Sequence, residues 1–357
     1  MIAKKDIQIE SHKLMYHPNE VSRWINGQIF APIYLEIGPT NICNHKCNFC
    51  ALDYLEVKPK FLDKKVFLTN LEDMGNFGVK AIMFAGEGEP LMHKQLPEAI
   101  KQAKNSAIDI SITTNGVLFD RTKTEETLKY LSWIKFSIDA GSKETYSKVH
   151  GCKEQDFDKT LENLKFASQY KKDNNLEVVV GAQMLLLPEN IHEVEDLILK
   201  IKDFDINYLI LKPYSQHPNS LNQKKFDITQ YNLRLKAISA KYSKGKFPIV
   251  YRSISAKEVN VDKIEYNECY GLNFFALIDA LGNVIPCNIF YGKEEYYYGN
   301  INKNKFSDIW KSEQRKKVLE RLYKEGTTNC RKGCRLNYIN QYLDNLKNKK
   351  VEHINFI

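Results

Sequence analysis

The stretch CNHKCNFC, residues 43–50, puts three thiols, Cys43, Cys47 and Cys50, into eight residues. A structural zinc site normally takes four ligands, often from paired Cys-x2-Cys knuckles, and this loop supplies three. It follows directly on PIYLEIG (32–38), a short apolar run that reads as a strand. A loop at the C-terminal end of a strand is where a βα barrel carries its reactive centre. Three thiolates on a cubane 4Fe–4S cluster would leave one iron without a protein ligand, open to a substrate or cofactor. Sulfur ligands also favour iron–sulfur clusters over hard cations.

Outward from that loop the chain keeps one rhythm. Phe67, Leu71 and Met74 recur at helical spacing, with Gly75 as the stop signal. KAIMFAG (80–86) is the next strand and KQLPEAIKQAK (94–104) the next helix. IDISITTNG (108–116) is a third strand, and Thr122 with Glu125 offers a capping box to the helix after it. WIKFSIDA (133–140), LEVVVGAQML (176–185) and NYLILKPY (207–214) complete six strands. Phe157, Leu161 and Leu164, then Ile191, Val194, Ile198 and Ile201, mark the helices between them. Six βα units of ~30 residues each predict a parallel sheet. It is either open with a switch point or curled into an incomplete barrel with its chemistry at the C-terminal strand ends.

After residue 214 the rhythm breaks. SQHPNSLNQKKFDITQ (215–230) is polar and reads as a loop, and 233–262 is ambiguous. CYGLNFFALIDALGNVIPC (269–287) predicts a hairpin turning at Leu281, Gly282 and Asn283. FSDIWKSEQRKKVLERL (306–322) reads as a helix, and CRKGC (330–334) precedes a short one.

Further motifs sit at the later strand ends: FAGEGEPLMH (84–93), TTNG (113–116) and FSIDA (136–140). Taken in order with the Cys-x3-Cys-x2-Cys loop and Phe49 before its last cysteine, they resemble the radical SAM superfamily over residues 32–214. The resemblance implies a 4Fe–4S cluster on Cys43, Cys47 and Cys50 that binds S-adenosylmethionine (SAM). It implies SAM contacts from Phe49, Gly86, Glu87, Gly88, Glu89, Thr114, Asn115, Ser137, Asp139 and Gln183, with Asp53 and Tyr54 packing nearby. The common second motif is Gly-Gly-Glu-Pro; here Glu87 stands at the first glycine, as a variant cofactor contact or a substrate-facing group. The implied chemistry is one-electron cleavage of SAM to methionine and a 5′-deoxyadenosyl radical, which takes a hydrogen atom from an unactivated carbon.

Cys269, Cys287, Cys330 and Cys334, with YYYGNI (296–301) and FSDIW (306–310) between the pairs, resemble the SPASM/Twitch extension of such enzymes. Four cysteines imply one auxiliary 4Fe–4S cluster with all its ligands from protein; a zinc ion held by the same four thiolates is the alternative. The expected architecture is α/β: an N-terminal segment (1–31), a partial (β/α)6 TIM-like barrel (32–218), a connecting region (219–262), a SPASM/Twitch-like domain (263–340) and a tail (341–357).

Cys152 belongs to neither group. A lone cysteine is most often a small buried apolar residue. Its place after the fourth strand would also let it return a hydrogen atom to a substrate radical, as in radical SAM epimerases, and His150 beside it could meet substrate. Lys212, Tyr214, Gln216 and His217 are ordinary loop polarity or a substrate rim, with Lys212 pairing an anion and His217 beside it as a candidate catalytic group. His12, His17, His93, His192 and His353 have no supporting context and read as surface or packing residues.

Net charge is +8 over 357 residues, which is a solvated lysine surface or an attraction for anions. No arginine–aromatic stripe argues for nucleic acid, and no apolar run of membrane-spanning length or secretory signal is present. A cytoplasmic setting keeps eight cysteines reduced. About thirty residues precede the first strand, too few for a separate recognition domain. These features favour a small anionic substrate, such as a sugar, aminocyclitol or nucleotide sugar, undergoing dehydrogenation or epimerisation. The resemblance brings a reduced flavodoxin or ferredoxin as electron donor. The alternatives are a peptide maturase working with a separate leader-binding partner and a non-catalytic iron–sulfur or zinc scaffold.

Overall fold

In the computed structural model, residues 12–56, 58–224, 226–243, 247–259, 264–349 and 352–356 are described. Strand β1 (Tyr34–Ile37) sets the pattern. Leu35 and Ile37 sink into the core, while Tyr34 and Glu36 face the other way, as the period-2 alternation of a strand requires. Strands β2 (Ala81–Phe84), β3 (Asp109–Thr114), β4 (Trp133–Ser137), β5 (Val179–Leu186) and β6 (Tyr208–Pro213) follow. Each is parallel to the one before and lies beside it in chain order. With no reversal of order there is no switch point, so the winding is that of a partial barrel. It stays open: β7 (Ile249–Tyr251) adds to β6, and β8 (Phe275–Ile278) adds in parallel to β1.

The intervening helices cover the outer face, where Phe67, Leu71, Ile100, Leu164, Leu197 and Ile198 meet the buried strand residues in one core. Two helix signals move. Helix Lys64–Phe77 runs through Gly75 and ends at Gly78, and helix Arg121–Thr127 is capped by Asp120, whose side chain accepts from the Lys123 N–H, not by a Thr122–Glu125 box.

The polar and ambiguous stretch after β6 holds more structure than its composition promised: helix Asn232–Tyr242, β7 and helix Ser253–Glu258. Beyond it, β8 turns through Asp279, which accepts from the Leu281 and Asn283 N–H groups, into antiparallel β9 (Asn283–Ile285) and β10 (Gly299–Asn300). The single helix expected over 306–322 is two, Phe306–Lys311 and Glu313–Glu325. They break at Ser312, which caps the second one. The Trp310 indole donates to the Phe30 carbonyl at 2.8 Å and so ties this region to the N-terminal segment.

Candidate active site and iron–sulfur sites

The cysteine loop lies over the C-terminal ends of the strands, docked on the end of helix Lys143–His150. The Lys46 and Asn48 N–H groups donate to the carbonyls of His150 and Val149 at 2.9 Å. Gly151 closes that helix at φ +57°, where a Cβ would stand 2.2 Å from the Lys46 oxygen, so only glycine permits the approach. Cys43, Cys47 and Cys50 all line a pocket of about 850 Å³. Its other walls include Gly86, Glu87, Gly88 and Glu89, Thr113, Thr114 and Asn115, and Ser137. Asp279, Leu281, Tyr291 and Tyr297 close it from the C-terminal region.

Burial pushes the Cys43 thiol up to about 11 and the Cys47 thiol well above its ordinary value, and the neighbouring thiols add to it. Thiolates crowded in this way need a cation to exist as thiolates at neutral pH. Among the described residues no three of these sulfurs, nor three of the C-terminal four, come within 4.8 Å of one another. Four sulfurs on one tetrahedral zinc at about 2.3 Å would be about 3.8 Å apart. The wider spacing fits the corners of a larger group, so the donor set suits a cluster better than a lone ion.

Glu89 is 3 % exposed. One carboxylate oxygen accepts from Thr114 Oγ1 at 2.8 Å and the Leu91 N–H at 3.2 Å, the other from the Asn115 N–H at 2.9 Å. Burial nevertheless raises it to about 7. It pins the loop after β2 to the end of β3, and Asn115 Nδ2 passes the link to Asn44 Oδ1 at 2.8 Å, inside the cysteine loop. Gly88 sits at φ +63°, and a Cβ there would lie 2.3 Å from the Thr40 oxygen. At the variant position, the Glu87 carboxylate accepts from the Ala280 N–H beyond the end of β8. Burial, then the charge of Asp279, raises it to about 7. The departure from the family motif is therefore a strap between the barrel and the C-terminal region.

Asp139 does not meet the pocket. It is fully buried, accepts from the Leu185 N–H at 2.5 Å and lies 3.4 Å from His150 Nε2. The Asp139 N–H also faces His150 Nε2 at 3.4 Å, and His150 Nδ1 lies 3.4 Å from Cys47 Sγ. Burial holds His150 neutral. With Nε2 accepting from the Asp139 backbone N–H, the proton belongs on Nδ1, where it points at the Cys47 sulfur. In this structure Asp139 supports a cluster-loop cysteine through His150. His150, expected as a candidate substrate contact, is the link. Phe49 lines the pocket and stands edge-on to the His150 ring at 5.5 Å.

The other expected residues separate. Ser137 and Thr114 line the pocket, whereas Gln183 does not and accepts from Lys135 Nζ at 2.9 Å. Cys152 is not in the pocket wall either; its thiol groups with His45 and Asp156 behind the cysteine loop, and burial raises it to about 12. His217 is 1 % exposed, with Nε2 on the Asn288 carbonyl at 3.3 Å and Nδ1 accepting from the Asn219 N–H at 3.2 Å. It stacks on Tyr54 at 5.6 Å, and both ring nitrogens have partners in the protein. Asp53 caps the loop after β6, accepting from Ser220, Leu221 and Asn222. Lys212 lies outside the pocket lining, at the inner face of β6.

Cys269, Cys287 and Cys330 lie close enough to Cys334 for its charge to raise each of them, on top of burial. Asn340 Nδ2 donates to Cys269 Sγ at 3.2 Å and the Leu336 N–H to Cys334 Sγ at 3.4 Å. The loop between Cys330 and Cys334 reaches into the barrel mouth. Arg331 donates to Ser215 Oγ at 2.8 Å, and Arg335 pairs with Glu36 on β1. The arginines and Lys135 were missed in the sequence. Their signal was present only as a basic residue on the inner face of a strand and two more flanking cysteines.

Residues 37–201 match the model of the radical SAM superfamily, and residues 269–335 that of an iron–sulfur cluster-binding domain. The tungsten-containing aldehyde ferredoxin oxidoreductase cofactor-modifying protein of Pyrococcus furiosus is 25 % identical over 305 residues, 79 % of this chain and 81 % of that one. A probable GTP 3′,8-cyclase of Saccharolobus islandicus is 33 % identical over 134 residues, 37 % of this chain; the chain spans 42 % of that relative's length. Streptococcus suis SuiB, solved with its precursor peptide SuiA, shares the fold at TM-score 0.65 and 18 % identity, covering 88 % of this chain and 74 % of that one.

Proposed function

The chain belongs to the radical SAM superfamily and carries a C-terminal iron–sulfur domain, and on that premise we propose that it dehydrogenates a small anionic substrate by hydrogen-atom abstraction. The cofactors are a SAM-binding 4Fe–4S cluster, SAM and auxiliary iron–sulfur. When bound, they supply a 5′-deoxyadenosyl radical and an electron acceptor. Cys43, Cys47 and Cys50 would hold the first cluster. Gly88 lets the backbone approach the cofactor, Glu89 fixes the loop against β3, and Ser137 offers a polar contact. Cys269, Cys287, Cys330 and Cys334 would hold the second. The balance would be a two-electron oxidation: with both clusters and SAM bound, the substrate would lose a hydrogen atom, one electron and one proton.

The observation that carries this reading is the pocket itself. Its about 850 Å³ lie between the cysteine loop and a wall of C-terminal residues, a size suited to a small molecule. Dehydrogenation is favoured over epimerisation because Cys152 is not in the pocket wall, while the loop of Cys330 and Cys334 reaches the barrel through Arg331 and Arg335. Relatives named for modifying a cofactor and for cyclising GTP agree with a small substrate. The peptide-maturase alternative has fold likeness alone behind it. A reduced flavodoxin or ferredoxin as electron donor and a cytoplasmic setting belong to the same reading; no described helix is long and apolar enough to cross a membrane.

The test is anaerobic incubation of the reconstituted protein with SAM, a reductant and deuterated small-molecule extract. Deuterium in 5′-deoxyadenosine, with a product two hydrogens lighter, is the expected result. SAM left uncleaved overturns the radical reading. An isomer of unchanged mass carrying solvent hydrogen overturns the dehydrogenase.

A further inference from the structure

We infer that the inner face of the barrel, beside the SAM pocket, is an anion site centred on Lys212 that grips a phosphate or diphosphate group of the substrate. This rests on the function proposed above and names the chemical class that it would take.

Strand parity places the residues. On β4, Ile134 and Phe136 are in the core, and Lys135 and Ser137 face the other side; on β6, Leu209 and Leu211 are in the core, and Ile210 and Lys212 face the other side. The register sets Ser137 beside Gln183, Gln183 beside Ile210, and Leu185 beside Lys212. Ser137 lines the SAM pocket, so Lys135 is two residues below that wall and Lys212 two strands across. Arg252 follows β7 directly, on the edge next to β6. Arg331 and Arg335 enter from the auxiliary loop.

Charge decides what this face takes. Five cations, Lys135, Lys212, Arg252, Arg331 and Arg335, act on one another there, and the carboxylates that oppose the two lysines are Glu36 and Asp139. Arg335 is paired with Glu36, Arg331 is bonded to Ser215, and Lys135 donates to Gln183. Lys212 has no hydrogen-bond or ion-pair partner among the described residues. Burial first, then the four neighbouring cations, pushes its ammonium well below the usual range. An ammonium in like-charged company is costly, and an anionic ligand beside it offsets that cost and favours the charged form. A single carboxylate would leave an excess of cations; a phosphate monoester or diphosphate would offset it, and the two arginines suit its oxygens in bidentate fashion. Because those arginines flank Cys330 and Cys334, an anion held here sets the substrate between the SAM pocket and the auxiliary cluster.

The experiment is calorimetric titration of the reconstituted, SAM-loaded protein with inorganic pyrophosphate, and with malonate as the carboxylate dianion. Pyrophosphate is expected to bind, and malonate at least tenfold more weakly. Lys212→Met should weaken pyrophosphate at least tenfold while melting no lower than wild type, because it removes a polar head that has no hydrogen-bond or ion-pair partner there. Lys135→Met should weaken it severalfold, and Lys200→Met, on an exposed helix face, should not change it. Binding unaltered in Lys212→Met, or malonate preferred, overturns the site. SAM cleavage measured on the same samples separates the two readings. Cleavage without pyrophosphate binding overturns the anion site alone, and binding without cleavage overturns the radical chemistry alone.

Discussion

Cys43, Cys47 and Cys50 open onto the pocket, whereas none of Cys269, Cys287, Cys330 and Cys334 lines it. Three of those four, Cys269, Cys287 and Cys334, pack against the main core instead. Both groups have a donor aimed at a sulfur, His150 at Cys47 and Asn340 at Cys269. They differ in ligand number and in what lies on the far side. Three thiols facing a cavity leave a coordination position for an exchangeable ligand. Four thiols in a packed setting leave none and suit electron transfer. One fold thus holds a site that must admit a reactant and a site that must exclude one.

The largest effect should come from breaking each group in turn. Cys47→Ala is expected to abolish 5′-deoxyadenosine formation, with iron falling from about eight to about four per chain. Cys334→Ala should lose the same iron yet still yield 5′-deoxyadenosine, with no oxidised substrate. Product analysis and iron assay on both variants check this. If Cys334→Ala also stops SAM cleavage, the separation of roles between the two groups is wrong.

A smaller effect tests the donors. With a cluster held by Cys47, the His150 N–H would stabilise added negative charge on that side. His150→Gln should therefore lower that cluster's potential and slow SAM cleavage, by about tenfold at most for a residue acting behind a ligand. Asn340→Asp keeps an acceptor for the Gly271 N–H but removes the donor to Cys269, so it should lower only the auxiliary potential. Redox titration followed by electron paramagnetic resonance reads the two clusters separately. A shift of both potentials by either variant would dissolve the distinction.

The six core strands were legible because each is a short apolar run bounded by polar turn residues, and the first four end in a motif. β7 was not, since three residues ending in Tyr251 carry too short a pattern. The burial of Asp139 was not legible, because its motif position says nothing of the packing of β5 against β4, whose Leu185 N–H its carboxylate accepts. The cationic face was half legible. Lys135 and Lys212 sit at strand positions whose parity can be read, but Arg331 and Arg335 join them from beyond a second region of the chain, and no local pattern announces that meeting. Glu87 stood out as a departure, yet its partner, the Ala280 N–H, is a backbone group that no side-chain motif encodes.

Glu87 is also where the pocket and the auxiliary side touch, and it gives the smallest and most specific test. Its carboxyl is raised to about 7 by burial and by Asp279, from an ordinary value of 4.5. The folded protein therefore holds this proton to higher pH than the unfolded chain does. Its contribution to stability is full below the ordinary value and is lost as pH rises through about 7. Glu87→Gln keeps an acceptor for the Ala280 N–H and cannot ionise. The variant should match wild type near pH 5 and melt roughly one to two degrees higher near pH 8. Glu89 and Asp139, raised in the same direction, contribute equally to both proteins and cancel in the comparison. Parallel melting curves across that range would mean that Glu87 is ionised in the folded state, and that the strap between the two regions is a charged hydrogen bond.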